Sequence, residues 1–195
     1  MDYKKTFKLK DKLYFTADDV ASAFNIKLQS AYVVCSRYVK RGLFIRLKKN
    51  FYILPQAWDN FSNRDFYQLA NFLQVPSYIS FMSALTAYNI STQVTRGFYE
   101  SAALKRSVKF KEKAITFNYY KMKRKYYFKF KKKDNFFIAT KEKALVDTVY
   151  LYSFGKYKID FSSLNIDTLD KKEISDIIKV FPKKTQNTVK KLCRI

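Results

Sequence analysis

The sequence holds no histidine in 195 residues, and only two cysteines, three glycines, three prolines and one tryptophan. Without imidazole there is no Ser-His-Asp or Cys-His nucleophile, no histidine general base and no histidine-containing zinc site. Cys35 and Cys193 stand far apart, outside any CxxC spacing, and read as reduced thiols rather than a zinc knuckle or a dithiol motif. No apolar run approaches the ~20 residues that cross a bilayer. The segment Asp2-Tyr3-Lys4-Lys5-Thr6-Phe7 lacks the apolar stretch and small-residue cleavage site of a signal peptide, so the expected address is the cytoplasm, with no membrane partner. Acidic residues are scarce too: 16 Asp and Glu face 39 Lys and Arg, a formal charge of +23. No carboxylates converge in spacing, so a metal-dependent nuclease is disfavoured and a non-enzyme without cofactor or metal is expected.

What is present is a folding sequence. Hydrophobic residues make up 48% and aromatics 18% of the chain, well above disordered composition, and the length fits one large domain or two small ones. A pI near 9.9 implies long-range attraction to phosphate polymers. Lysine outnumbers arginine 31 to 8, however, a bias expected of an AT-rich coding sequence, so the position of the charge has to decide its use.

Residues 13–54 are the most legible. Leu13-Tyr14-Phe15 is a short strand-like run, after which Thr16 caps a helix from Ala17 to Phe24 with Asp19 completing a capping box. Asp18 and Asp19 lie in the first turn, where they favour the helix dipole, and are read as caps rather than as a catalytic pair. Asn25 tolerates positive φ and breaks the helix. A second helix, Leu28 to about Arg41, turns Ala31, Val34, Cys35, Tyr38 and Val39 to one side and stops at Gly42. Lys27 is a poor N-cap for it. Its other face carries Gln29, Ser30, Tyr32, Val33, Ser36, Arg37 and Lys40, with no acidic residue to repel phosphate. The period then changes to two, giving strands Leu43–Leu47 and Phe51–Leu54 around a basic turn, Lys48-Lys49-Asn50. Helix, turn, helix and wing predict a DNA-binding domain over 1–58. Gln29, Ser30, Tyr32, Ser36 and Arg37 are placed at base edges, Arg37 foremost, and Lys40, Arg41, Arg46, Lys48, Lys49 and Asn50 at the backbone, with Lys48 expected to serve all sequences alike.

Beyond this, Asn60–Leu73 reads as a helix within a bridging segment, 59–75, and Ser77–Ile90 as a second helix capped at Ser77 or Ser80. Those serines have no histidine and no lysine nearby in sequence to activate them. From Val94 to Ile138 the period is two, notably in Lys113–Tyr119 and Tyr126–Lys131. The cluster Lys121, Lys123, Arg124, Lys125, Lys129, Lys131, Lys132 and Lys133 reads as a solvated edge before a second nucleic-acid surface. Thr140 caps a helix through Tyr152 with an apolar stripe at Ala144, Leu145, Thr148, Val149 and Tyr152; Glu142 and Asp147 point roughly 140° apart on it and cannot act as a pair. Gly155 ends it. Two helices separated by Pro182 close the chain.

Three stretches resemble the AbiEi-type antitoxins of type IV toxin-antitoxin (abortive infection) systems: Val39–Leu54, Pro76–Leu85 and Ile138–Asp147. Asn50 departs from the family's usual glycine in the wing turn. The resemblance implies an α+β protein with an N-terminal winged helix-turn-helix and a C-terminal mixed α/β antitoxin-type domain over 76–195. It also implies a repressor that binds double-stranded DNA at inverted repeats in its own promoter and neutralises a nucleotidyltransferase-like toxin. The alternative is a winged-helix DNA-binding protein of another role, a plasmid or phage replication initiator or a stand-alone regulator.

Overall fold

The computed structural model describes residues 6–93 and 96–195, a mixed α+β chain dividing into two compact units, Met1–Leu69 and Ala70–Ile195. Residues 2–5 of the amino-terminal segment, and Val94, where the strand-rich region was expected to begin, lie outside the described residues.

In the first unit, α1 (Ala17–Phe24) begins as its sequence requires. Thr16 Oγ1 accepts from the Asp19 N–H, while the Asp19 carboxylate accepts from the Thr16 N–H at 2.7 Å. Asn25, at φ 53°, turns the chain into α2 (Leu28–Lys40), and Gly42, at φ 68°, releases it. Strands β1 (Ile45–Lys48) and β2 (Phe51–Ile53) form an antiparallel ribbon with an irregularity between Arg46 and Lys48. Phe15 exchanges two backbone hydrogen bonds with Tyr52, at 2.8 and 2.9 Å, so the strand-like run ahead of α1 joins the ribbon. Phe15, Val20, Phe24, Ala31, Cys35, Phe44 and Tyr52 share one core, with Phe44 edge-on to Phe15 and Tyr38. A short α3 (Pro55–Asp59) follows, so the helix expected over Asn60–Leu73 begins later, as α4 (Asn63–Leu73), after Ser62 and Asp65 close a local turn. The division at Leu69 falls within α4, inside the expected bridging segment.

The second unit is built on a six-stranded mixed sheet in the order β5-β6-β4-β3-β8-β7. Its strands are β3 (Ser77–Ile79), β4 (Phe98–Ala103), β5 (Val108–Glu112), β6 (Ile115–Lys121), β7 (Phe130–Lys133) and β8 (Phe136–Ala139). The expected helix over Ser77–Ile90 is corrected here: Ser77–Ile79 is a central strand paired with β4 and β8, and only Phe81–Ala87 is helical, as α5. Phe81, at φ 55°, makes the bend between them, a conformation a bulky residue adopts only when packing imposes it. The strand expected over Tyr126–Lys131 is also shorter, because Arg124–Tyr126 form a 3₁₀ turn and Lys129, at φ 56°, precedes β7.

Helix α6 (Lys141–Ser153) starts at the Thr140 cap but is not an amphipathic stripe. Every residue from Glu142 to Val149 is buried, because α5, α7 (Lys171–Ile178) and α8 (Lys183–Cys193) pack around it. Ile174, Ile177, Phe181 and Val189 complete this core. Among the described residues, no helix is long and apolar enough to cross a membrane.

Candidate nucleic-acid interface

Helix α2 separates its two sides cleanly. Ala31 and Cys35 are fully buried, whereas Gln29, Ser30, Tyr32, Val33, Ser36, Arg37, Lys40 and Arg41 are exposed. Tyr32, Val33, Ser36, Arg37 and Lys40 line one shallow concavity. No side chain caps the first turn of α2, and Lys27 at its start is exposed.

Strand β1 carries a further cation. Arg46 lies opposite Tyr52 in the ribbon and is exposed. The Tyr52 hydroxyl is pushed above its ordinary range by burial, with Cys35 and Tyr32 adding to the rise and Arg46 opposing it. Cys35 itself is pushed up to about 11 by burial, and the thiol is inert.

The turn residues divide in role. Lys49 is exposed. Lys48 is half-buried, its ammonium 5.1 Å from the centre of the Phe51 ring. Asn50 points inward: it takes φ 56°, the left-handed conformation glycine would otherwise supply, and its Oδ1 accepts from the Ala17 N–H at 2.7 Å. The turn of the ribbon thereby caps α1 from 33 residues away. Asn50→Gly, which keeps the backbone conformation and loses this bond, is expected to cost about 1 kcal/mol, and Asn50→Ala about 2, in chemical unfolding of the protein. An Asn50→Gly variant as stable as the unmodified protein would count against the capping role, whereas equal stability of the two variants would count against the backbone strain.

Charge alone does not choose the interface. The first unit carries 13 Lys and Arg against 6 Asp and Glu, the second 26 against 10. Five of these 26 stand on edge strands, where Lys109 and Lys111 on β5 and Lys131, Lys132 and Lys133 on β7 are exposed. Lysines there oppose edge-to-edge pairing.

Two polar clusters went unread in the sequence. In the first, Lys143 and Asp147 form a wholly buried ion pair; Tyr78 and Ser80 hydroxyls donate to Asp147 Oδ2 at 2.9 and 2.8 Å, and Lys143 Nζ donates to the Tyr78 hydroxyl at 3.0 Å. The Lys143 ammonium also lies within 5.5 Å of the Tyr78, Phe128 and Phe181 ring centres. Burial pushes Lys143 down and Asp147 up, each opposed by the other's charge. The fold thus brings a lysine into the network of Ser80, although none is near in sequence. Ser80 donates to a carboxylate in a sealed interior, which is an arrangement for packing rather than for nucleophilic attack.

In the second cluster, Glu100 accepts from the Tyr157 hydroxyl at 2.7 Å, the Met82 N–H at 3.2 Å and the Tyr120 hydroxyl at 3.3 Å. Burial raises its carboxyl to about 7 against the lowering effect of these donors. Glu100, Phe98, Tyr120 and Tyr157 border an open cleft rimmed by Lys156 and Lys158. Only the i,i+4 spacing of Lys143 and Asp147 carried any sequence signal of these clusters.

Among the described residues, no group of three or more His, Cys, Asp or Glu is arranged to hold a metal ion. No protein-family model and no curated protein matches the sequence.

Proposed function

We propose that the first unit is a winged helix and that the protein is a sequence-specific double-stranded DNA-binding repressor of its own promoter, acting as the antitoxin of a type IV system. What supports the DNA half of this reading is one observation: the outward side of α2 is cationic and free of acidic residues. A helix entering the major groove with its residues on base edges, flanked by a ribbon on phosphate, is the docking such a unit uses. The uncapped first turn of α2 then presents N–H groups to a phosphate. Neutralisation of a nucleotidyltransferase-like toxin, directly or indirectly, rests on the resemblance of Pro76–Leu85 and Ile138–Asp147 to the antitoxin family. No membrane and no enzymatic step enter the proposal.

Gel-shift titration of the gene's own upstream DNA, over a salt series and against scrambled competitor, tests it. Arg37→Ala is expected to weaken specific binding by about 1–3 kcal/mol, roughly 5- to 150-fold, and to relax the base preference at one position. Lys49→Ala is expected to weaken all sequences alike and to reduce the salt slope by about one. Lys49 replaces Lys48 in this test because the Lys48 ammonium is engaged on Phe51. Binding that keeps its full sequence preference in Arg37→Ala rejects the assignment of Arg37, and equal binding to scrambled DNA rejects the repressor.

A further inference from the structure

Three of the exposed large apolar side chains lie on α2: Leu28 at 37%, Tyr32 at 43% and Val33 at 56% exposure. Val33 is the most exposed of them, and folding does not account for it. The core side of the helix is already filled by Ala31 and Cys35, and a β-branched residue on an exposed helix face gains nothing in helix propensity. Its neighbours are polar or cationic: Gln29 one turn before, Ser36 and Arg37 one turn after, Lys40 two turns after. Val33 lies with Arg37 and Lys40 in the same concavity, so whatever fills it carries an apolar group next to negative charge and hydrogen-bond acceptors.

The edge of the DNA major groove is such a partner. Its one apolar group is the C5 methyl of thymine, and guanine presents the paired O6 and N7 acceptors that suit an arginine. Two residues one helical turn apart stand about 6 Å from each other, which spans one or two base steps. Resting on the DNA-binding reading above, we infer that Val33 is a specificity-determining residue that packs on the methyl group of a thymine within one or two base pairs of the guanine read by Arg37.

Replacing thymine by deoxyuridine removes only the methyl group and keeps base pairing and the O4 acceptor. The probe is the shortest bound duplex from the gene's own upstream DNA, with each thymine changed in turn. One substitution in each half-site is expected to weaken the unmodified protein three- to fivefold, as loss of one buried methyl group should. Val33→Ala is expected to bind the thymine and uracil duplexes equally, while Val33→Thr, which keeps a methyl group, retains part of the preference. Lys49→Ala is expected to keep the full methyl preference while binding more weakly. Alanine favours the helix, so loss of fold is not the expected effect of Val33→Ala. Specific binding that is indifferent to uracil at every position, or a Val33→Ala variant with undiminished methyl preference, overturns the inference and leaves the DNA-binding reading standing. Absence of any sequence-specific binding overturns both.

Discussion

Removing the Asp147 carboxylate is expected to lower stability by about 3–5 kcal/mol, the range found when one partner of a buried ion pair is deleted. For a protein of ordinary stability, about 5–15 kcal/mol, this is a large part of the total. The physical reason is what remains. Asp147→Ala leaves the Lys143 ammonium at zero exposure with only the Tyr78 hydroxyl and aromatic faces around it, and it takes from Tyr78 and Ser80 the oxygen to which both donate. Lys143→Ala is expected to cost a similar amount, by stranding the carboxylate and emptying the space between Tyr78, Phe128 and Phe181. The double variant Lys143→Met with Asp147→Asn removes both charges, refills the aromatic surround and keeps an acceptor for the two hydroxyls. It is expected to recover most of the loss, within about 1–2 kcal/mol of the unmodified protein in urea unfolding. A double variant as unstable as Asp147→Ala would show that the charges themselves, rather than their isolation, hold α6 to β3.

The second large effect depends on pH. The Glu100 carboxyl is raised from its ordinary 4.5 to about 7 by burial, so the folded chain binds this proton more tightly than the unfolded chain does. The stability it contributes is therefore fully present below about pH 4.5 and is lost as pH rises through about 7. Between pH 5 and pH 8 the loss from this one group is roughly 2–3 kcal/mol. Glu100→Gln keeps an acceptor for the Tyr157 hydroxyl and the Met82 N–H and cannot ionise. Relative to the unmodified protein, the variant is expected to gain about that amount on going from pH 5 to pH 8 in parallel urea titrations. A difference that is the same at both pH values would place Glu100 in a solvated, ordinary state.

The two effects share an origin that also explains what could be read from residues in order. Thr16 and Asp19, Asn25 and Gly42 act on backbone groups within four residues of themselves, so helix α1, its turn and the end of α2 were legible from the chain alone. The alternation after Gly42 and the exposed residues of α2 were legible for the same reason, since a face is set by spacing. The inward role of Asn50 was not, because its partner Ala17 stands 33 residues away. Nor was β3: Ser77-Tyr78-Ile79 has the small and aromatic residues of a helix such as the one that follows it, and becomes a strand because β4 and β8 offer it backbone partners.

Composition and local pattern by themselves determined a folded, strongly basic α+β chain without imidazole chemistry, its helix starts and stops, and the acid-free side of α2. Tertiary structure alone decided the sheet order, the burial of every residue from Glu142 to Val149 in α6, and the partners of its charges. Tyr78 and Asp147 are 69 residues apart, and Tyr157 and Glu100 57 apart. A cap or a turn is settled by neighbours along the chain, whereas a buried charge is tolerable only where distant segments close over it with matching donors, and that match exists only once the chain has folded.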